Sequence, residues 1–238
     1  MAPEQGRGRL ARIDFYENQG TGNRLVDAHF PKPPKGPTPR LSDAERRAEQ
    51  DRVRAEAPNA DEFWIFGFGS LMWRPGLQVV RREPATLQGY ERRFEIWSTV
   101  GRGTLMKPGL GCCLVPTAGS CRGIAYGLCI ANLDDDLEYL WKREMGSGVY
   151  RPTWVELTLD TGQKKAALTF VIRKGHVQHT GPMPATRMAE IIGRAAGENG
   201  RCRDYLANTL AEMAKLGETD PLLNEVMTLI NSAEGPCI

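Results

Sequence analysis

The chain has 238 residues, of which 41% are hydrophobic and 25% are charged, with a formal net charge of +2. This composition is typical of a soluble globular protein with room for one substantial domain and smaller additions. The nearly balanced charge argues against nucleic acid or an anionic membrane as the main partner. No apolar run approaches the roughly 20 residues that span a bilayer. We therefore expect a monomer that binds neither nucleic acid nor membranes.

Two further features of composition bear on location and metal binding. The first fifteen residues lack an apolar segment and are interrupted by charges at Arg7, Arg9, Arg12 and Asp14. This pattern argues against a secretory signal, so we expect a cytoplasmic protein. The six cysteines form no C-x-x-C pair, and the three histidines do not flank them at zinc-finger spacing. The sequence therefore predicts free thiols and no structural zinc site.

The first 60 residues differ from the rest of the chain. Apolar residues are sparse there, and a proline-rich segment at 31–39 predicts extended backbone. The pattern Ser42-x-x-Glu45 predicts a capping box that opens a charged helix, and Pro58 ends it. We interpret residues 1–60 as a partly disordered tail with one helix, and residues 61–238 as the folded domain.

The folded domain opens on an aromatic strand that breaks into Gly67-Phe68-Gly69-Ser70 and ends in a Pro-Gly turn. Glycines here let backbone N–H groups approach a ligand closely. Met72 stands where G-x-G-x-x-G needs its third glycine, and no Walker lysine follows, so nucleotide binding is not supported. The loop also lacks the G-x-S-x-G elbow, which makes Ser70 a weak candidate for a hydrolase nucleophile.

The remaining segments predict many strands followed by helices. Strands are predicted at 78–82, 85–87, 93–100, 112–116 and 122–130, with a turn at 118–120. A helix is predicted at 134–145, then a hairpin of strands 153–159 and 165–173, then helices at 185–196, 203–216 and 221–231. This order indicates an α+β fold with a small curled or barrel-like mixed β-sheet and flanking helices.

The helix at 134–145 places one carboxylate on its apolar side. At about 100° per residue, Glu144 falls within the stripe of large apolar residues formed by Leu137, Leu140, Trp141 and Met145. The predicted polar side contains Asp135, Asp136, Tyr139, Lys142 and Arg143. Burial and the negative end of the helix dipole would both raise the pKa of Glu144 towards the range used in acid–base catalysis. An ordinary helix-end glutamate, or one paired with an arginine, remains the alternative.

Two segments together resemble the signatures of the ChaC-like γ-glutamylcyclotransferases. The first is 64–75, which contains Gly-Phe-Gly-Ser-Leu-Met-Trp-Arg-Pro, and the second is 141–154, with Trp-Lys-Arg-Glu-Met followed by Gly-Val-Tyr and Pro-Thr-Trp. The resemblance covers roughly residues 63–230 and implies a small β-barrel with flanking helices. It also implies cleavage of glutathione into 5-oxoproline and cysteinylglycine without cofactor or metal. Glu144 would be the catalytic acid/base.

The resemblance also implies a set of substrate-binding residues. The loop that holds the γ-glutamyl group would comprise Phe68, Gly69, Ser70 and Leu71. The chemistry of the implied reaction adds further candidates. Arg74 or Arg102 would either pair with a substrate carboxylate or be structural, and Tyr150 would either hydrogen-bond the substrate or pack in the core. Three features depart from the family pattern. Phe68 stands where many relatives have tyrosine, and Leu110 stands where a Pro-Gly-Arg segment is common. The segment before Tyr150 is Gly-Ser-Gly-Val, where many eukaryotic members have Gly-Gly.

Three alternatives remain open from the sequence. The substrate could be another γ-glutamyl amino acid or amine instead of glutathione. Ser70 could act as a hydrolase nucleophile with His176 or His179 as base. The chain could also be a non-catalytic binding or scaffold protein, although the presence of Glu144 argues against this.

Overall fold

The computed structural model describes residues 32–233. Its helices are α1 (Asp43–Ala55), α2 (Leu133–Glu144), α3 (Ala185–Arg194), α4 (Cys202–Lys215) and α5 (Pro221–Ala233). Its strands are β1 (Trp64–Gly67), β2 (Val79–Ser98), β3 (Gly109–Leu128), β4 (Tyr150–Leu159), β5 (Lys164–Ile172), β6 (Ala196–Gly197) and β7 (Gly200–Arg201). Short 3-10 turns at Ser70–Met72 and Ile130–Asn132 complete the described elements.

The first five strands close into a barrel in the order β1-β3-β2-β4-β5, and β6 and β7 form a separate hairpin. β1 runs antiparallel to β3 and parallel to β5, so the sheet is mixed. The predicted α+β fold, a small barrel-like mixed sheet with flanking helices, is confirmed. The later helices and the hairpin of β4 and β5 also lie where the sequence predicted them, within a few residues.

The prediction of several short strands between residues 78 and 130 was wrong. β2 and β3 are each 20 residues long and pair along nearly their whole length. The segment at 118–120 is no chain reversal, because the register passes from Gln88↔Ser120 to Tyr90↔Pro116. Three residues of β3 thus lie opposite the single residue Gly89, which makes a bulge. Gly89 and Gly119 lie within this bulge and Pro116 flanks it, so the ladder continues on both sides of these residues.

The core lies between the barrel and α2. Leu137, Leu140 and Trp141 of α2 are fully buried and join a cluster that includes Ile65 and Phe170 of the barrel. The same stripe was predicted from the helical spacing. Packing along this stripe fixes the rotation of α2 and therefore the direction in which its last residues point.

The predicted helix after Ser42 is present with both bonds of its capping box. The Glu45 N–H donates to Ser42 Oγ at 3.2 Å, and the Ser42 N–H donates to Glu45 Oε2 at 2.7 Å. Val53 is buried in the core cluster, and its carbonyl accepts a bond from Trp154 Nε1 at 3.0 Å. Val53 thus connects α1 to the barrel, and the domain boundary after residue 60 stays a prediction. The predicted tail at 1–31 lies outside the described residues.

None of the described helices is long and apolar enough to cross a membrane. The described cysteines are all free thiols, and Cys237 lies outside the described range. Within residues 32–233, no three His, Cys, Asp or Glu side chains cluster in a way that could hold a metal ion.

Candidate active site

The loop that follows β1 is a buried, tightly wound turn. Gly69 is buried and precedes the 3-10 turn, in which the Met72 N–H donates to the Gly69 carbonyl at 2.9 Å. A Cβ on Gly69 would lie 3.1 Å from the Tyr205 hydroxyl oxygen, so any larger residue at this position would crowd Tyr205 of α4. The first N–H groups of a helical turn lack partners within the turn and are free to bind a ligand.

Buried polar side chains of β2 and β3 donate hydrogen bonds to backbone carbonyls of this loop. Arg92 is only 6% exposed, and its Nε donates to the Phe68 carbonyl at 2.6 Å. Its Nη1 lies 3.5 Å from Glu218 Oε2, which supplies a nearby countercharge. The Tyr126 hydroxyl donates to the Leu71 carbonyl at 2.8 Å. Sequence analysis missed both contacts, because nothing in a strand pattern shows which loop its polar side chains will reach.

Glu144 is the last residue of α2, and its side chain is 15% exposed. Burial raises the pKa of Glu144, and the positive charge of Arg143 opposes that rise. Arg143 Nε lies 2.9 Å from Glu144 Oε1, so the alternative of a glutamate paired with an arginine describes the resting contact. The prediction that Glu144 points to the buried side agrees with this position.

Arg143 connects Glu144 to the loop after β1. Its Nη2 donates to Ser70 Oγ at 2.8 Å, and its Nη1 donates to the backbone carbonyl of Arg74. The sequence placed Arg143 on the polar side of α2 and gave it no role. Its side chain is 20% exposed and bends back over the helix end, which helical spacing alone does not reveal.

Two tyrosines interact electrostatically with Glu144. The Tyr150 hydroxyl donates to the Cys112 carbonyl at 2.6 Å, and burial, reinforced by Glu144, raises the pKa of Tyr150 well above its usual range. Burial likewise raises the pKa of Tyr205, with further contributions from Cys112 and Glu144. Tyr150 was a predicted site residue, whereas Tyr205 was assigned to the core stripe of α4 and missed.

The two predicted arginines interact electrostatically, and one of them contacts Tyr205. The Arg102 guanidinium lies over the Tyr205 ring, 4.9 Å from its centroid. Burial lowers the pKa of Arg102, and the positive charge of Arg74 acts in the same direction. Arg102 also donates to the Asn199 carbonyl in the β6–β7 hairpin, while Arg74 is exposed. The side chains of Arg74 and Arg102 are thus within electrostatic reach of each other.

The remaining predicted residues contribute through their backbones. The side chains of Phe68 and Leu71 are buried in the core, which leaves their peptide groups as the parts that could face a ligand at the loop. Leu110 is also fully buried, and its N–H donates to Cys202 Sγ at 3.3 Å. An apolar side chain therefore occupies the position where a cationic contact was in doubt.

Comparison with known proteins identifies the family. The model of the ChaC-like protein family matches residues 63–233. The chain belongs to the ChaC-like family. Among related ChaC-like proteins, the glutathione-specific γ-glutamylcyclotransferase of Escherichia coli K12 is 37% identical over 186 residues, which cover 78% of this chain and 80% of that protein. The mouse glutathione-specific γ-glutamylcyclotransferase 1 is 32% identical over 183 residues, covering 76% and 80% of the two chains.

A solved structure of a ChaC-like relative shares the fold. The crystal structure of a glutathione-specific γ-glutamylcyclotransferase from yeast superposes with a TM-score of 0.66 at 22% sequence identity. The match covers 72% of this chain and 96% of that one. At this identity the comparison supports the barrel architecture and leaves residue roles to the geometry described above.

Two surface grooves of this ChaC-like chain lie apart from the Glu144 cluster. One, of about 360 Å³, runs between α3 and α5 and is lined by residues such as Ala189, Gly193 and Ile230. The other, of about 290 Å³, lies beside β4 and β5 and is lined by residues such as Trp154 and Lys165. Neither contains a residue that the sequence assigned to the site.

Proposed function

We propose that this ChaC-like chain is a glutathione-specific γ-glutamylcyclotransferase that releases 5-oxoproline and cysteinylglycine. The observation that carries the proposal is a buried glutamate, Glu144, linked through Arg143 to the glycine-bordered turn at Ser70. Relatives of this chain from E. coli and mouse bear the name of that activity. The substrate is a small molecule, and the reaction requires neither metal nor cofactor.

The reaction is a ring closure within the substrate. The α-amine nitrogen of the γ-glutamyl group attacks its own γ-carbonyl carbon, a C–N bond of the lactam forms, and the original γ-amide C–N bond breaks. Since both reacting groups belong to one molecule, the protein supplies no nucleophile. It must fold the chain so that the two atoms meet, and such alignment contributes a large part of the rate.

Glu144 moves the proton that this reaction transfers. The attacking nitrogen loses two of its three protons as it becomes the lactam N–H. The Glu144 carboxylate accepts the first and gives it to the departing nitrogen as the γ-amide bond breaks, and the second leaves through the same carboxylate to the released amine of cysteinylglycine, which becomes an ammonium. Burial raises the pKa of Glu144, which brings the carboxyl closer to the operating pH and suits both steps. Proton loss from the α-ammonium makes the amine nucleophilic, and proton gain makes the leaving amine neutral.

The other predicted residues would bind and orient the substrate. Backbone N–H groups of Gly69, Ser70 and Leu71 would hold the substrate carboxylate or the oxyanion that develops on the γ-carbonyl. Arg74 and Arg102 provide two cations at the edge of the loop, which fits a substrate with two carboxylates. Tyr150 lies within electrostatic reach of Glu144 and would hydrogen-bond the substrate.

Replacing Glu144 by glutamine tests the proposal directly. We expect Glu144→Gln to lower kcat for release of 5-oxoproline from glutathione by roughly 10²–10⁴-fold, the usual contribution of a general acid–base group. Glu138→Gln is the matched control, because Glu138 is an exposed glutamate of the same helix. Circular dichroism would verify that both variants fold. Near-normal turnover of Glu144→Gln would show that the proposed mechanism is wrong.

A substrate panel separates the remaining enzymatic alternatives. We would assay glutathione, γ-glutamyl-alanine and a γ-glutamyl amine with the same preparation. Preference for glutathione supports the proposal, whereas comparable turnover of all three would indicate a general γ-glutamyl cyclotransferase. No turnover of any would favour the binding or scaffold role.

The serine hydrolase alternative finds little support in the contacts of Ser70. Its Oγ accepts a bond from the Arg143 guanidinium, a group that cannot take up a proton. His176 Nε2 lies 3.1 Å from the Ser147 carbonyl, and His179 Nε2 lies 3.3 Å from Glu95 Oε2. Both candidate bases are thus engaged elsewhere.

A cytoplasmic location, a monomeric state and the lack of nucleic-acid or membrane partners stay predictions.

A further inference from the structure

Arg143 makes more contacts than a surface arginine at a helix end would need. One guanidinium reaches the Glu144 carboxylate, the Ser70 hydroxyl, the Arg74 carbonyl and, at 3.2 Å, the Tyr139 hydroxyl. These partners belong to α2 and to the loop after β1, which are the two segments that form the proposed site. The guanidinium therefore bridges the proton-transfer group and the substrate-binding turn.

We propose that Arg143 is the positioning residue of this site, holding the Glu144 carboxylate in its charged form and in register with the Ser70 turn. The kinetic part of this inference rests on the proposed cyclotransferase function. Because its fork of N–H donors is planar and rigid, a guanidinium can fix two acceptors relative to each other, which a single ammonium cannot do.

The surroundings of Glu144 explain why a cation is needed there. Tyr150 of β4, Tyr205 of α4 and Cys112 of β3 each interact electrostatically with it. Burial holds all three of these groups in their neutral forms, and their ionised forms would be anions, so none of them can supply a countercharge to the carboxylate. The attraction that opposes burial of Glu144 comes from Arg143. A protonated Glu144 could not accept the α-ammonium proton, so the first step depends on this cation.

Substitution of Arg143 separates the role of charge from the role of geometry. In Arg143→Met, we expect kcat at pH 7 to fall several-fold or more, because loss of the guanidinium raises the Glu144 pKa further and leaves less of the carboxyl ionised. The acid limb of the kcat profile should move to higher pH, and activity should partly recover as the pH is raised. KM should change much less than kcat.

Arg143→Lys keeps the charge and loses the fork. We expect its acid limb to stay near that of the unmodified protein, while its kcat remains several-fold lower because the Ser70 turn is no longer tied to Glu144. The matched control is Lys142→Met, which removes a neighbouring cation that pairs with the exposed Glu138. It should leave both kcat and the pH profile unchanged.

Two results would overturn the inference. An unshifted acid limb in Arg143→Met, with loss explained by a smaller folded fraction, would reduce Arg143 to a structural role, as would an equal effect of Lys142→Met.

If the protein itself fails to act on glutathione, the proposed function falls, and the Glu144 carboxyl can be titrated by ¹³C NMR and assigned with Glu144→Gln. An equal Glu144 midpoint with and without the Arg143 guanidinium, measured in Arg143→Met or, if that variant does not fold, in the neutral Arg143→Gln, would then refute the inference.

Discussion

Glu144 illustrates at the level of a single residue how function conflicts with stability. A carboxylate at a buried helix end is destabilised by loss of hydration and by the helix dipole, and Arg143 offsets only part of this. The sequence located the conflict, since a glutamate on an apolar stripe violates the usual pattern. It did not identify the partner, because Arg143 reaches back across the helix end.

The raised pKa of Glu144 predicts a stability difference that depends on pH. A carboxyl whose pKa is higher when folded than when unfolded contributes stability below its unfolded pKa, and this contribution is lost as the pH rises through the folded pKa. Glu144→Gln should therefore have a higher Tm than the unmodified protein at pH 7–8, with the difference closing towards about pH 4. Differential scanning calorimetry across this range would measure it.

The control for this measurement is again Glu138. Its pKa is lowered by the hydrogen bond with Lys142, so Glu138→Gln should give no gain in Tm at neutral pH. Identical melting curves for Glu144→Gln and the unmodified protein at every pH would contradict the assignment of a raised pKa to Glu144.

At the level of elements, both ends of α2 are attached to the segment that follows β1. Near its start, the Asp136 carboxylate accepts the Gln78 N–H at 3.0 Å, and at its end Arg143 binds the carbonyl of Arg74. Helical spacing wrongly placed Asp136 on the solvent side, although it is 4% exposed. The bond to Gln78, 58 positions away in sequence, is the reason, and no local pattern encodes it.

Removal of the Asp136 carboxylate should loosen this attachment. We expect Asp136→Ala to lower the free energy of unfolding by about 1–3 kcal/mol, since it leaves the partly buried Gln78 N–H without its acceptor. Urea denaturation would measure the change. Asp135→Ala is the matched control, because Asp135 is the exposed neighbour in the same turn, and a typical surface change stays within about 0.5 kcal/mol. Equal effects of the two substitutions would show that the bond to Gln78 contributes nothing.

At the level of the whole molecule, the described residues before 61 pack with the barrel. The Leu41 N–H donates to the Gly146 carbonyl at 3.0 Å, two residues after Glu144, and Val53 is buried in the core. The charged composition of this region led to the prediction of a separate tail, because a helix with one large buried side chain looks like a solvated one. One buried valine and a few backbone bonds are enough to attach it.

Two truncated chains would test where the folded unit begins. A chain of residues 32–238 should melt close to the full chain. A chain of residues 61–238 should lose about 2 kcal/mol or more, because it exposes the core surface that Val53 covers and frees Trp154 Nε1. Thermal melting and 5-oxoproline release would be measured for both. Equal stability of the two chains would support the boundary after residue 60.

The sequence by itself determined the motif of the Gly69–Ser70 loop, the buried direction of Glu144, the capping box of α1 and the general α+β architecture. These are local features, since they depend on side-chain spacing and on residues a few positions apart. Tertiary structure decided that β2 and β3 are continuous, because bulges let the two strands stay paired past the residues at which the sequence predicted strand ends. It also decided the surroundings of Glu144, because Arg92, Tyr126 and Tyr205 meet the loop only when distant strands and helices pack together.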